Sequence, residues 1–320
     1  SAVVRLGPGR LMPPGTIGIP IRNALLRLEA TQQAARLTEG LVTLDTLGPG
    51  AAPVLAGTAT LALCQAPTLS IQAGMKQFDV AELERMWPAG LARNARTWLV
   101  PNITAGQITD LSVALQASVA PDFSALDPTS MAIEGRAAGA TVHYLRPMPP
   151  AEEARGRFSV NLATADIVVD GARIGQRMQG HGTVRIVDLD TPVETADIAL
   201  DMTSPLPDLL VLLQHPRLHL FDSRPLPPPV RDATGTANGR LSVRFPLLSS
   251  LEVEQVRIGV EGLLSDVRIP RLLAGQDVTD ARLALSVTNE SLKMSGPVSV
   301  VGTPASATYE QEFRQGPPSQ

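Results

Sequence analysis

The sequence predicts a mainly β protein: an elongated, curled antiparallel sheet of repeated strands with an apolar inner face, interrupted by two short helical insertions. Three observations predict it. Apolar and polar residues alternate with period two along most of the chain, as in strands with one face in water. Gly, Asn and Asp separate the runs, as at Asp170-Gly171, Asn238-Gly239 and Gly302-Thr303-Pro304. Finally, the stretch Val100–Leu115 (VPNITAGQITDLSVAL) returns as Ile269–Leu285 (IPRLLAGQDVTDARLAL), matching the Pro, Ala-Gly-Gln, Thr-Asp and final Ala-Leu with one inserted residue. Self-similarity at this distance argues for repeated strand modules rather than one catalytic pocket.

The alternation runs Leu61/Leu63, Leu69/Ile71, Leu111/Val113/Leu115, Val142/Tyr144 and Phe158/Val160/Leu162. It continues through Val184/Ile186, Ile198/Leu200/Met202, Leu241/Val243/Phe245, Val256/Ile258/Val260, Leu283/Leu285/Val287 and Leu292/Met294. The first helical insertion, near 79–99, opens at Asp79 with Glu82 three residues on, a capping box, and Phe78 and Leu83 placed as a hydrophobic staple. Val80, Leu83, Met86 and Trp87 form its apolar stripe. Pro88 interrupts it, a second helix is expected from Leu91 to Leu99, and Pro101 is expected to stop that helix. The second insertion, near 205–214, has Ser204 as cap, Pro205 in the first turn, and Leu206, Leu209, Leu210 and Leu213 on one face. Arg146–Arg155 reads as a loop, and Pro225–Val230 as extended polyproline-like chain. The whole of 1–320 is read as one segment of a longer protein.

At 44% hydrophobic residues the chain is made to fold, while 3% aromatics means a core of Val, Leu, Ile and Ala. A net charge of −4 gives no basic footprint, so nucleic acid is not an expected partner. No run reaches the roughly 18 apolar residues that span a bilayer, and no signal-peptide pattern opens the chain. The single cysteine, Cys64, reads as a small buried residue on a strand.

No constellation carries chemistry. His215 and His219 have the i, i+4 spacing of a zinc pair, but Pro216 lies between them and no further ligand pattern follows. Asp188 and Asp190 lack a calcium-loop pattern, Gly180-His181-Gly182 lacks the lysine of a phosphate loop, and Gly135-x-x-x-Gly139 sits in strand sequence. No serine sits in a nucleophile elbow. The expectation is a non-enzymatic protein with no cofactor and no metal.

The order of pieces from Met86 onward (Trp87, Pro88, Arg96, Trp98, Gly106, then alternating strands) resembles the AsmA-like domain of YhdP-type proteins of the bacterial envelope. Phe158–Gly171, the leucine helix, Pro246 after a strand and Gly275–Leu285 extend the likeness, from about Ala59 to Phe313. The resemblance implies an inner-membrane-anchored protein with its bulk in the periplasm, whose relatives form long curled sheets that carry phospholipid between inner and outer membranes. The anchor such proteins carry is not in this sequence, as expected of an excised segment.

The residues themselves permit this. An apolar sheet face must be covered, and two short helices cannot cover so many strands. A curled sheet would leave a groove, and a 16-carbon chain buried in it gains on the order of 10 kcal/mol before ordering costs. A packed β-sandwich would show the same alternation. Groove-lining candidates are Leu111, Val113, Leu115, Val142, Tyr144, Val160, Leu162, Val184, Ile186, Ile198, Leu200, Leu241, Val243, Phe245, Val256, Ile258, Val260, Leu283, Leu285 and Val287. Candidates for helical caps are Trp87, Arg96, Trp98, Leu206, Leu209, Leu210 and Leu213, with Arg96 expected to pair with Asp79, Glu82 or Glu84. Phospholipid is the expected partner. The competing function is an envelope assembly factor that binds proteins along sheet edges.

Overall fold

The computed structural model describes residues 1–12, 18–46, 52–87, 93–218, 225–248 and 255–312. Strand makes up 67% of the described residues, so the class is mainly β. The chain forms two compact units: Ser1–Val142 with Glu153–Ile167, and His143–Glu152 with Val168–Gln320.

The first unit contains β1 (Ala2–Leu6), β2 (Gly9–Leu11), β3 (Ile19–Ala30), β4 (Ala34–Leu44), β5 (Val54–Ala62), β6 (Thr68–Asp79), β7 (Ile103–Val119) and β8 (Leu126–Val142). From β3 to β8 each strand pairs antiparallel with the next, and β1 and β2 both pair with β3. The strands β9 (Ala151–Val160) and β10 (Thr164–Ile174) are each divided between the units. The second unit contains β11 (Met178–Val187), β12 (Thr195–Pro205), β13 (Thr234–Pro246), β14 (Arg257–Leu273), β15 (Gln276–Thr288), β16 (Ser291–Val300) and β17 (Thr303–Glu312), again paired antiparallel in sequence order. Within each unit the described strands make one sheet with no second sheet among the described residues, so neither unit is the sandwich.

Helices interrupt the strands at two corresponding points. Between β6 and β7 come a 3₁₀ turn (Val80–Glu82), α1 (Leu83–Met86) and α2 (Arg93–Asn102). Asp79 caps this turn by accepting from the Ala81 N–H at 2.9 Å, while the Glu82 carboxylate meets Arg85 at 3.1 Å. Pro101 lies inside the last turn of α2 rather than ending it; the expected break at Pro88 and start at Leu91 fall outside the described residues. Between β12 and β13 come α3 (Leu206–Leu213), a 3₁₀ turn (Pro216–Leu218) and α4 (Pro228–Arg231). The N-cap of α3 is Pro205, not Ser204, whose buried hydroxyl donates to the Pro205 carbonyl.

Several local expectations fail. Asp170-Gly171 and Asn238-Gly239 lie inside β10 and β13; at Gly239 the neighbouring strand comes too close for a side chain, a Cβ there meeting the Glu261 carbonyl at 3.0 Å. Arg146–Arg155 is a loop only to Pro150, and Pro228 to Val230 is helical rather than extended. Cys64 is exposed in the β5–β6 turn, its thiol donating to the Ala66 carbonyl, not buried on a strand.

The recurrent stretch divides at its Thr-Asp. Upstream, Val100–Asn102 end a helix whereas Ile269–Leu273 end a strand, so that half of the likeness is not structural. Downstream it is. Asp110 and Asp280 both adopt φ of 52°, each at a shift in strand register. Such a bulge adds one residue and reverses the side-chain parity. Ile108 and Leu111, three apart, therefore both join the first unit's core, and Val278 and Ala281 both join the second's. Asp266, at φ 53°, does the same for Leu264 and Val267.

Candidate functional site

In each unit one end of the apolar sheet face is sealed and the rest is not. In the first, Phe78 and Met75 bury with Ile21, Ala24, Val42 and Leu44, while Leu83 and Met86 of α1 pack on them. In the second, Leu206 and Leu210 of α3 bury against Val267, Val278, Ala281 and Val298, with Leu209 packed alongside. Asp208 anchors α3 through two bonds from Arg177, at 2.7 and 3.0 Å.

Beyond these caps the same face continues as rows of apolar side chains in register. In the second unit Val184, Ile198, Val243 and Ile258 form one row, and Leu200, Leu241, Val260, Val287 and Leu292 the next. A third row reads Gly180, Met202, Gly239, Gly262, Leu285, Met294 and Tyr309. In the first unit Leu28, Leu37, Ala59, Ile71, Leu115 and Met131 make a row, beside Val4, Leu26, Gly40, Gly57, Ala73, Val113 and Ile133. Each unit thus has a paired glycine on its apolar face. A Cβ on Gly57 would lie 2.7 Å from the Gln72 carbonyl, and one on Gly262 2.8 Å from that of Asn238, so only glycine fits.

None of the groove candidates is buried. Ile258 is 42% exposed, and Leu111, Val113, Leu115, Val160, Ile186, Leu283 and Phe245 are half-buried. Tyr144, Leu162 and Val256 lie off the strands, in bends or irregular chain, because β8 ends at Val142, β9 at Val160, and β14 begins at Arg257. Solvation loss raises the Tyr144 phenol above its ordinary value.

Among the cap candidates, Leu206 and Leu210 are buried in the second unit's cluster with Leu209 packed against it, Leu213 is half-buried, and Trp87 is half-buried at the end of α1. Trp98 is 47% exposed and anchors little. The expected carboxylate pairing of Arg96 gives way to two carbonyls: its guanidinium donates to the Trp87 oxygen at 3.1 Å and the Glu84 oxygen at 3.0 Å. Those carbonyls end α1 and have no partner within the helix, so a fork of guanidinium donors satisfies both.

The opposite face is polar and charged. One row there reads His181, Asp201, Arg240, Glu261, Ser286, Lys293 and Glu310, alternating in sign wherever it is charged at neutral pH. Glu261 accepts from Ser286 at 2.7 Å and Lys293 meets Glu310 at 2.6 Å. Sequence reading missed this row because pairing partners are invisible without the register. Two open depressions lie on this polar side, one lined by Ala56, Thr58, Gln72 and Ser112, the other by His181, Asp201, Asn238 and Glu261. Among the described residues no group of His, Cys, Asp and Glu is placed to hold a metal ion, and no helix is long and apolar enough to cross a membrane. His219 lies outside them, and the His215 ring nitrogen accepts from the Arg217 N–H.

No curated protein and no solved structure matches the chain. A family model described as YhdP protein matches residues 49–317. Given sheets capped by helices at corresponding points and a match over most of its length, the chain belongs to the YhdP family.

Proposed function

We propose that the chain is a non-enzymatic lipid carrier of the bacterial envelope, which takes phospholipid acyl chains along its apolar sheet faces and supports their movement between inner and outer membranes from a periplasmic position. Membership of the YhdP family suggests an envelope protein of the lipid-transport type. The observation that carries the finer reading is the set of in-register apolar rows that stay open to solvent beyond the helical caps. A face of this kind costs free energy when wet and recovers it when covered by hydrocarbon, at about 0.8 kcal/mol per methylene. Gly and Ala at several positions of these rows put little side chain over the sheet, where aromatic residues would cover it.

The test is native mass spectrometry with lipid extraction on the purified chain, followed by delipidation and re-addition of phospholipid. Stoichiometric lipid that returns after stripping supports the reading. A chain that purifies empty and refuses phospholipid overturns it.

A further inference from the structure

At the helix-capped end of the second unit two hairpin tips stand side by side. β14 and β15 turn over just past Leu273↔Gln276, and β16 and β17 just past Val300↔Thr303. The pairing of Val278 with Val300 makes the tips neighbours, and both residues pack in the cluster beneath α3. Turns are ordinarily polar. The hairpin at the other end of these strands obeys that rule, with Asn289 and Glu290 and two backbone N–H groups donating to the Thr288 hydroxyl. The two tips do not. Leu272 is 38% exposed, Leu273 52% and Val301 72%, and Val211 on the outer side of α3 adds a fourth apolar side chain at 73%.

Val301 is the most telling of these. It adopts φ of 52°, a left-handed conformation that its branched Cβ disfavours and that Asn or Gly would take more easily. Folding alone gives no reason for an exposed, strained valine there. The charge at this end is also positive on balance. Among the described residues, the helices, turns and strand ends at this end carry Arg177, Arg217, Arg231, Arg268 and Arg271, against Asp208, Asp232 and Asp277; Asp266 and Asp280 lie further down the strands. Arg177 occupies Asp208 and Arg268 occupies Asp277, with Arg271 also close enough to hold the Asp277 carboxyl below its usual range. The exposed side chains of Arg217, Arg231 and Arg271 therefore leave the described residues of this end with positive charge in excess.

We propose that this end of the second unit docks on a bilayer containing anionic phospholipid. Leu272, Leu273, Val301 and Val211 enter the boundary between headgroups and acyl chains, and the arginines meet the phosphates. Exposed apolar side chains ringed by fixed cations fit such a surface, since hydrophobic insertion and headgroup attraction act together. The inference goes beyond lipid carriage, because docking needs only the tips and not a loaded sheet face.

The experiment is flotation of the chain with vesicles of phosphatidylglycerol in phosphatidylcholine, and with phosphatidylcholine alone. The chain is expected to float with the first, less as salt rises, and poorly with the second. Leu273→Asp should lower partitioning by about tenfold or more, and Arg271→Gln by about fivefold. Val301→Asn should weaken binding while raising the melting temperature, a pairing that a purely structural role for Val301 would not produce. Lipid extracted from the same variants should match the parent's, which separates this surface from the apolar faces. Failure to float with phosphatidylglycerol vesicles overturns the proposal. So does unaltered flotation by Leu273→Asp and Val301→Asn, including the case in which they only turn a dimer into a monomer and so mark the contact of a second copy.

Discussion

Replacing Val243 by Asp puts a carboxylate in the middle of an apolar row, between Ile198 and Ile258. Full burial of a valine side chain is worth about 1.5–3 kcal/mol; Val243 is already half-buried in the free protein, so a covering acyl chain gains about 1 kcal/mol from it. The variant loses that gain and obliges the ligand to strip water from a charge, costing about 2 kcal/mol more by the scale for polar groups buried without partners. Together about 3 kcal/mol is roughly a hundredfold in affinity. Folding should suffer less, about 1 kcal/mol, because the carboxylate keeps its access to water. The assay is rebinding of phospholipid to delipidated chain, counted by native mass spectrometry beside a thermal melt. Ser242→Asp is the control: one residue away, exposed on the polar face, it should bind like the parent. Unchanged rebinding by Val243→Asp with a cooperative melt, or an equal loss in Ser242→Asp, would refute the reasoning; Val113→Asp and Val160→Asp extend the test to the first unit.

Three further outcomes are expected. Leu210→Ala should cost about 2–5 kcal/mol in denaturant unfolding, since Leu210 is 9% exposed in the cluster beneath α3, whereas Val211→Ala should cost almost nothing. The Asp208 carboxyl sits below its ordinary value, chiefly through the hydrogen bonds from Arg177, so its stabilisation is present at neutral pH, where both folded and unfolded carboxyls are ionised. That stabilisation falls away as pH drops below the unfolded value near 4 and through the folded one, so melts of wild type and Asp208→Asn should converge in acid; the effect is small, Arg177 being largely in water. Asp280→Gly should be tolerated while Asp280→Val loses about 1–2 kcal/mol by equilibrium unfolding, because φ of 52° suits glycine and penalises a branched side chain.

The parts of the fold legible in the sequence were those whose signal is local. Half-exposed strands announce themselves by alternation, and Asp79 and Phe78 announce the first helical insertion. Where two local signals overlap, reading by pattern goes astray. The bulges at Asp110, Asp266 and Asp280 turn an alternating strand into one with apolar residues three apart, which resembles neither strand nor helix. β1 to β4 escaped partly for that reason, since register shifts near Ile21 and Arg27 break the pattern of β3. Glycines inside strands passed for turns because the need they meet, a close neighbouring backbone, is a tertiary fact. The rows of the apolar face were legible as a set of residues but not as rows. Their alignment, and the charged row behind them, depend on which strand pairs with which.

The glycine pairs Gly40–Gly57 and Gly239–Gly262 bear on kinetics. A row that runs across several strands and loses its side chains at the centre presents bare backbone, with no rotamers to rearrange as a chain-like ligand passes over it. On the lipid-carrier reading proposed above, neighbouring leucines and valines would supply adhesion and the glycines a stretch of low friction between them. Strong holding and easy sliding ordinarily oppose one another, and an apolar face that alternates between the two along its rows would keep a bound chain from escaping sideways without pinning it in place.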